Sequence, residues 1–192
     1  MSTVRPVEDD EKIQDMLDFL KSRSERNAFM LTFQLYTGMR ISEMLPLKVR
    51  HVRNISFISI KESKTNKERD IPLGREIKKR IADYIEDMQD WEYLFCSKKG
   101  NRPITRQHAY RIYRDAAECL GIKRFGCHSP RKDFGSKLYS ETGDIVLVQK
   151  VFGHSSAAIT ERYIGLTKKK VEDAILDISF SSRRKESREL RK

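Results

Sequence analysis

Near the start of the chain four apolar residues, Ile13, Met16, Leu17 and Leu20, recur at steps of three and four. That spacing lines one face of a helix and predicts one from about Glu8 to Ser22 with a buried stripe. A second helix is expected from about Glu25 to Tyr36, and Gly38 just beyond it supplies the permissive backbone of a helix end. Arg40 therefore opens a new short segment, ISEML, which Pro46 closes. From Ile55 to Ile60 the pattern changes to alternation, and a second short apolar run, Arg69 to Leu73, follows the polar stretch SKTNKE. The two runs read as a β-hairpin with Lys64 at its tip end. Ile77, Ile81, Tyr84, Ile85 and Met88 then mark a helix, Tyr93 to Cys96 a short strand, and Ala109, Ile112, Tyr113, Ala116, Ala117 and Leu120 another helix. In the final third, Gly143, Gly153 and Gly165 separate helices predicted over Ser129 to Glu141, Asp144 to Phe152, Ser156 to Tyr163 and Lys168 to Ile178. The predicted class is α+β, mainly helical, with a small antiparallel β-sheet. No repeat of 20 to 50 residues is visible, and 192 residues fit one compact domain.

Charge narrows the partner. Against 28 acidic residues stand 39 Lys and Arg, a formal charge of +11, which favours a polyanion over an acidic small molecule. Nucleic acid is the first candidate. A membrane surface is disfavoured, because no run of 18 apolar residues exists and the basic residues are dispersed along the chain. The charged opening MSTVRPVEDDEKI lacks an export signal, so a cytoplasmic location is expected, nucleoid-associated in a prokaryote. Cys96, Cys119 and Cys127 show no C-x-x-C spacing and are expected as reduced, partly buried thiols. Cys127 adjoins His128, but chain neighbours in a helix or turn seldom face each other, which disfavours a catalytic cysteine. Beyond Phe180 the stretch SSRRKESRELRK has six basic and two acidic residues and no apolar stripe. It is expected to be a flexible or conditionally ordered tail.

The residues that suggest chemistry are spread over the sequence: Arg40 in TGMRISE, His128 and Arg131 in HSPR, His154 in FGHSS, and Tyr163 in TERY. Two guanidiniums can hold the nonbridging oxygens of a phosphodiester, since the planar fork of Arg donates paired hydrogen bonds and stays ionised. Imidazoles can move protons or support charge, and a phenol can attack phosphorus once its proton leaves. His128 and Arg131 are spaced i, i+3, on one face if HSPR opens a helix, and Pro130 suits a first turn. Glu43, three residues after Arg40, either orients that guanidinium or is an ordinary surface carboxylate. Asp133 and Asp144 do not cluster with it, so the motifs offer no acidic cage for Mg²⁺, and the separated histidines offer no zinc site.

In order and spacing these residues resemble the catalytic domain of the tyrosine recombinase (phage integrase) family. Its motifs run Arg, a hairpin Lys, His-x-x-Arg, a Gly-His pair, and a Tyr nine residues after that His. The match extends roughly from Glu8 to Ile178. The resemblance implies site-specific DNA recombination: strand cleavage and rejoining through a covalent 3′-phosphotyrosyl link, without metal or cofactor. It implies catalytic roles for Arg40, Lys64, His128, Arg131, His154 and the nucleophile Tyr163. Lys64 would protonate the leaving 5′-oxygen, with Lys61 and Lys67 as neighbouring competitors. His154 would support the phosphate and the Tyr. Double-stranded DNA is the implied partner, with a homo-tetramer on DNA and a monomer as the alternative off it.

Two departures stand out: Pro130 and Lys132 flank Arg131 where the family more often has Leu and His, and only about 30 residues precede the first motif. Residues 1–180 are thus expected to be the catalytic domain and 181–192 a basic tail. The usual N-terminal core-binding domain is expected to be absent, in a fragment or a naturally short member. The segment with Val171, Ala174, Ile175 and Ile178 either docks on a neighbouring protomer or packs on its own domain. A noncatalytic DNA-binding module of the same fold and a type IB topoisomerase are the alternatives. An RNA-binding protein is less favoured, because the Ile55 to Ile60 strand offers only Phe57 for stacking.

Overall fold

The computed structural model describes residues 10–61, 68–165 and 176. In chain order the elements are α1 (Asp10–Arg23), α2 (Glu25–Thr37), α3 (Ile41–Met44), a 3-10 turn (Val49–His51), β1 (Phe57–Lys61), β2 (Glu68–Pro72) and α4 (Arg75–Tyr84). Then follow β3 (Cys96–Ser97), β4 (Gly100–Pro103), α5 (Arg106–Cys119), α6 (Ser129–Thr142), α7 (Ile145–Phe152) and α8 (Ala157–Ile164). The class is as expected, mainly helical, though the strands form two separate antiparallel hairpins rather than one sheet.

α1 carries Asp10 and Glu11 in its first turn and Lys21 and Arg23 in its last, which suits the helix dipole, and buries Met16 and Leu20. α2 is the central helix, with Phe29, Met30, Leu31 and Phe33 all buried. Phe29 stacks on Tyr84 of α4 at 3.9 Å between ring centres, and Phe33 meets Phe95 edge-on at 5.8 Å. α2 ends at Gly38, which adopts the left-handed conformation with φ of 60°. A β-carbon there would lie 2.4 Å from the Phe134 ring of α6, so both the turn and the close packing of α6 require glycine.

Two expectations are corrected. The helix after the first hairpin stops at Tyr84, not near Met88. Glu86 and Asp87 would place negative charge at the negative end of the dipole, and Met88 packs on the core from the turn beyond. Tyr93 forms only an isolated bridge with Lys48, and the strand is confined to Cys96–Ser97, paired with Gly100–Pro103. The sequence GNRP hides this second strand because it has no apolar side to alternate. The first hairpin pairs β1 with β2 as read, Ile58 opposite Ile71. Lys64 at its tip, the helix predicted from Lys168 to Ile178 and the basic tail lie outside the described residues, Leu176 excepted.

Two apolar clusters result. The larger unites α1, α2, α3, the first hairpin, α4 and α5. The smaller centres on Val148, Phe152 and Ile164, with Phe134, Leu138 and Tyr163 packed against it. Buried Gln34 of α2 ties the larger cluster together: its amide donates to the carbonyls of Met39 (3.1 Å) and Cys127 (2.8 Å) and accepts from the Tyr113 hydroxyl (3.2 Å). One side chain thereby fixes the turn before Arg40 against the turn before His128.

Candidate active site

Arg40 caps the start of α3, and Glu43 reaches back to it. The Arg40 amide donates to one carboxylate oxygen at 2.7 Å and the guanidinium to the other at 2.7 Å. The same carboxylate accepts from Arg69 of β2 at 2.8 Å. Of the two readings of Glu43, the structure selects the orienting partner. Burial pushes the Glu43 carboxyl up, but hydrogen bonds from Arg40 and the charges of Arg69 and Arg40 outweigh it and hold the group below the usual carboxylate range.

α7 supplies the second anchor. The last carbonyls of a helix lack intrahelical partners and form the negative end of its dipole. Here they are met by guanidiniums. The Val151 carbonyl accepts from Arg69 at 2.6 Å, and the Phe152 carbonyl accepts from Arg131 at 3.0 Å and Arg40 at 3.4 Å. Arg131, on α6, is 1% exposed. It also donates to the Gly38 carbonyl and stacks its guanidinium 4.1 Å from the centre of the Phe152 ring. Burial pulls its pKa down to about 10, with Tyr163 opposing and Arg40 and Arg69 adding to the fall. It is therefore charged at neutral pH, its plane fixed by two carbonyls, with further N–H donors of its five left for an anion.

Gly153, left-handed at φ of 66°, ends α7 and swings the chain to His154. His154 Nδ1 lies 3.0 Å from the hydroxyl of buried Thr160, which itself donates to the Ser156 carbonyl at 3.3 Å. With the Thr160 proton on the Ser156 carbonyl, the tautomer that fits carries its proton on Nδ1 and leaves Nε2 as an acceptor. Two turns of α8 return Tyr163 to the same place, its ring edge-on to His154 at 5.1 Å and to Phe152 at 5.5 Å. The Tyr163 hydroxyl is buried with no hydrogen-bond partner in good geometry. Burial raises its pKa, and the nearby Arg131 and Arg40 charges oppose the rise without cancelling it. The phenol is thus not ionised in advance. To serve as a nucleophile it would have to lose its proton during the attack.

His128 caps α6, half-buried. Burial and then the cations Arg106, Arg131, Lys132 and Arg40 lower its pKa, which keeps the ring neutral and able to accept a proton. Arg40, Arg131, His154 and Tyr163 are thus gathered around Phe152, with His128 beside them; Lys64 lies outside the described residues. Cys127 is not part of this chemistry: burial lifts its thiol to about 11, far from a thiolate. The thiols differ in burial, Cys127 buried, Cys96 half-buried and Cys119 exposed rather than partly covered. Three participants escaped the sequence: Arg69, Phe152 and Lys132, whose ammonium sits 5.0 Å over the Tyr163 ring. A half-buried arginine in a short strand and a lysine next to Arg131 were the signals.

Glu43→Gln removes the charge that Arg40 and Arg69 share. It should cost about 1–3 kcal/mol at neutral pH, since hydrogen bonds to charged groups contribute that much. Because the folded pKa is lowered, this contribution is present above the ordinary value of about 4.3 and is lost as pH falls through the folded one. Urea midpoints of the two proteins should converge in acid.

Residues 7–170 match the phage integrase family. Over 166 residues the chain is 41% identical to a Bacillus subtilis protein named "Probable integrase/recombinase YoeC", covering 86% of this chain and 92% of that one. It is 30% identical to a "Tyrosine recombinase" of Pseudothermotoga lettingae, covering 85% of this chain but 57% of that protein. Among solved structures, the XerH site-specific recombinase bound to a palindromic difH substrate in a post-cleavage complex superposes with a TM-score of 0.70 at 23% identity. That superposition covers 90% of this chain and 53% of the other, and it bears on fold alone. With a family match over residues 7–170 and a relative 41% identical over most of both chains, the chain belongs to the phage integrase family, the tyrosine recombinases.

Proposed function

We propose that this chain cuts and rejoins duplex DNA at specific sites through a covalent tyrosyl intermediate. The observation that carries the proposal is the Tyr163 hydroxyl, buried beside the oriented guanidiniums of Arg131 and Arg40. A scissile phosphate placed there would meet Arg131 and Arg40 at its nonbridging oxygens. Tyr163 Oη bonds to phosphorus, the P–O5′ bond breaks, the phenolic proton leaves, and O5′ takes up a proton. The products are a 3′-phosphotyrosyl link and a 5′-hydroxyl, which can attack in reverse to rejoin a strand. His154 is proposed to steady the phosphate and the phenol. His128 is proposed to share proton transfer, and Lys64 to protonate O5′. The DNA would lie across the cationic face beside His128, where Arg106, Arg111 and Arg114 of α5, with Gln107 and Tyr110, border a cavity of about 550 Å³. Assembly as a tetramer on DNA belongs to the same proposal.

The test uses a randomised pool of nicked duplexes, in which cleavage near the nick releases a short piece and traps the protein on DNA. Trapping should succeed in EDTA, since the residues proposed to act need no metal. Retention of the whole pool should weaken steeply with salt, as phosphate contacts do. Retention with no covalent product would instead mark a noncatalytic DNA-binding module.

A further inference from the structure

The ring of Tyr163 is enclosed from several directions. His154 and Phe152 approach it edge-on, at 5.1 and 5.5 Å between centres. The ammonium of Lys132, the residue after Arg131 on α6, stands over the ring at 5.0 Å from its centre. Lys132 is 7% exposed. Lysine usually keeps its ammonium in water even when its stem is covered, because burying the charge is costly. A position that only filled space between α6 and α8 would be served better by an apolar side chain of the same length.

We propose that Lys132 is a positioning residue for Tyr163: seated on the ring, its ammonium holds the phenol for attack and stabilises the negative charge the ring gains as its proton leaves. The proposal rests on the preceding assignment of Tyr163 as nucleophile. In the resting phenol the attraction is between a cation and a ring quadrupole, worth about 0.5–2 kcal/mol. As the O–H bond breaks, the charge spreads into the ring, and the attraction becomes one between opposite charges in a site with little water. Such a contact grows stronger toward the transition state, which is the kind that accelerates a step. The bonds made and broken are unchanged: Oη to phosphorus forms, P–O5′ breaks, one proton leaves Oη and one reaches O5′.

Among the described residues the other charged or titratable groups facing Tyr163 are Arg131 and Asp133 on α6, Arg40 at the start of α3, and His154 before α8. Arg131 and Arg40 are fixed by the Gly38 and Phe152 carbonyls and by Glu43, an arrangement suited to a phosphate. Asp133 raises the phenol's pKa and, being next to Lys132, supports the ammonium. Lys132 is the cation that contacts the ring itself. Burial lowers its own pKa and Asp133 partly restores it.

The test compares the wild type with Lys132→Met, Lys132→Gln and Lys132→Arg, using a nicked duplex captured from the randomised pool. The rate of adduct formation is measured against pH. A second duplex carries sulfur in place of the bridging O5′, a leaving group that departs without needing a proton. Lys132→Met and Lys132→Gln should slow adduct formation about tenfold or more near neutral pH and displace the alkaline rise of the rate upward by about one unit, the equivalent of that tenfold. Sulfur should not rescue them, and Lys132→Arg should recover most of the rate. An unchanged rate in both neutral variants overturns the proposal, as does a slower rate on an unmoved pH profile, which would mark a merely structural lysine. Full rescue by sulfur overturns it too, placing Lys132 at the leaving oxygen. If the wild type forms no adduct, the assignment of Tyr163 fails first and takes the proposal with it; an adduct in the wild type and an unaffected Lys132→Met separates the two failures.

Discussion

Tyr163→Phe should abolish covalent capture of DNA and at the same time leave the protein slightly more stable. The first effect follows from the loss of the atom proposed to attack, and no residual adduct is expected above background. The second follows from burial. The hydroxyl sits inside the fold with no hydrogen-bond partner in good geometry, and a buried, poorly satisfied polar group costs about 1–3 kcal/mol. Phe keeps the ring contacts with His154, Phe152 and Lys132 and removes that cost. A gain of about 1 kcal/mol would raise the melting temperature by about 2–4 °C in a chain of this size. Thermal unfolding and adduct gels on the same preparation check both. A loss of stability in Tyr163→Phe would mean that the hydroxyl has a structural partner and is not held ready for phosphorus.

The arginines should separate in a different way. Arg40→Ala and Arg131→Ala are each expected to cut strand cleavage by at least about 10²–10³, the usual effect of removing a donor aimed at developing negative charge. Their stabilities should diverge. Arg131, 1% exposed, joins the Gly38 carbonyl at the end of α2 to the Phe152 carbonyl at the end of α7. Its removal leaves both carbonyls buried without that donor and opens a void, at about 2–4 kcal/mol. The Arg40 side chain, 34% exposed, should cost about 1 kcal/mol, since Glu43 keeps Arg69 and water can replace the rest. Arg131→Lys should recover part of the stability and little of the activity, because an ammonium cannot span two carbonyls and a phosphate as a planar fork does. Equal melting temperatures for the two alanine variants would contradict this division.

From the sequence alone those two arginines look equivalent, and the reason marks what a sequence can and cannot disclose. Helices α1 and α5 are legible because each has a stripe of apolar residues to bury, and the corners at Gly38, Gly143 and Gly153 are legible because left-handed backbone favours glycine. α6 is different. It buries Ser129, Arg131, Lys132 and Asp133 alongside Pro130 and Gly135, so hydrophobic periodicity says nothing about which face turns inward. Arg131 and Lys132 are buried because the carbonyls of Gly38 and Phe152 and the Tyr163 ring meet them, and those partners lie far away in the chain. The same holds for Arg69, whose partners Glu43 and Val151 come from either side of it. Motif order located Arg40, His128, Arg131, His154 and Tyr163. Only packing revealed that the end of α7 is what draws three guanidiniums together.

The central claim is that one tyrosine takes the 3′-phosphate of a cut strand. The most direct test is to trap the wild-type protein on a nicked duplex in EDTA, digest the adduct with trypsin, and identify by mass spectrometry the peptide that carries DNA. A nucleotide joined through its 3′-phosphate to Tyr163 is the predicted result; DNA on any other residue, or a linkage through a 5′-phosphate, would contradict it.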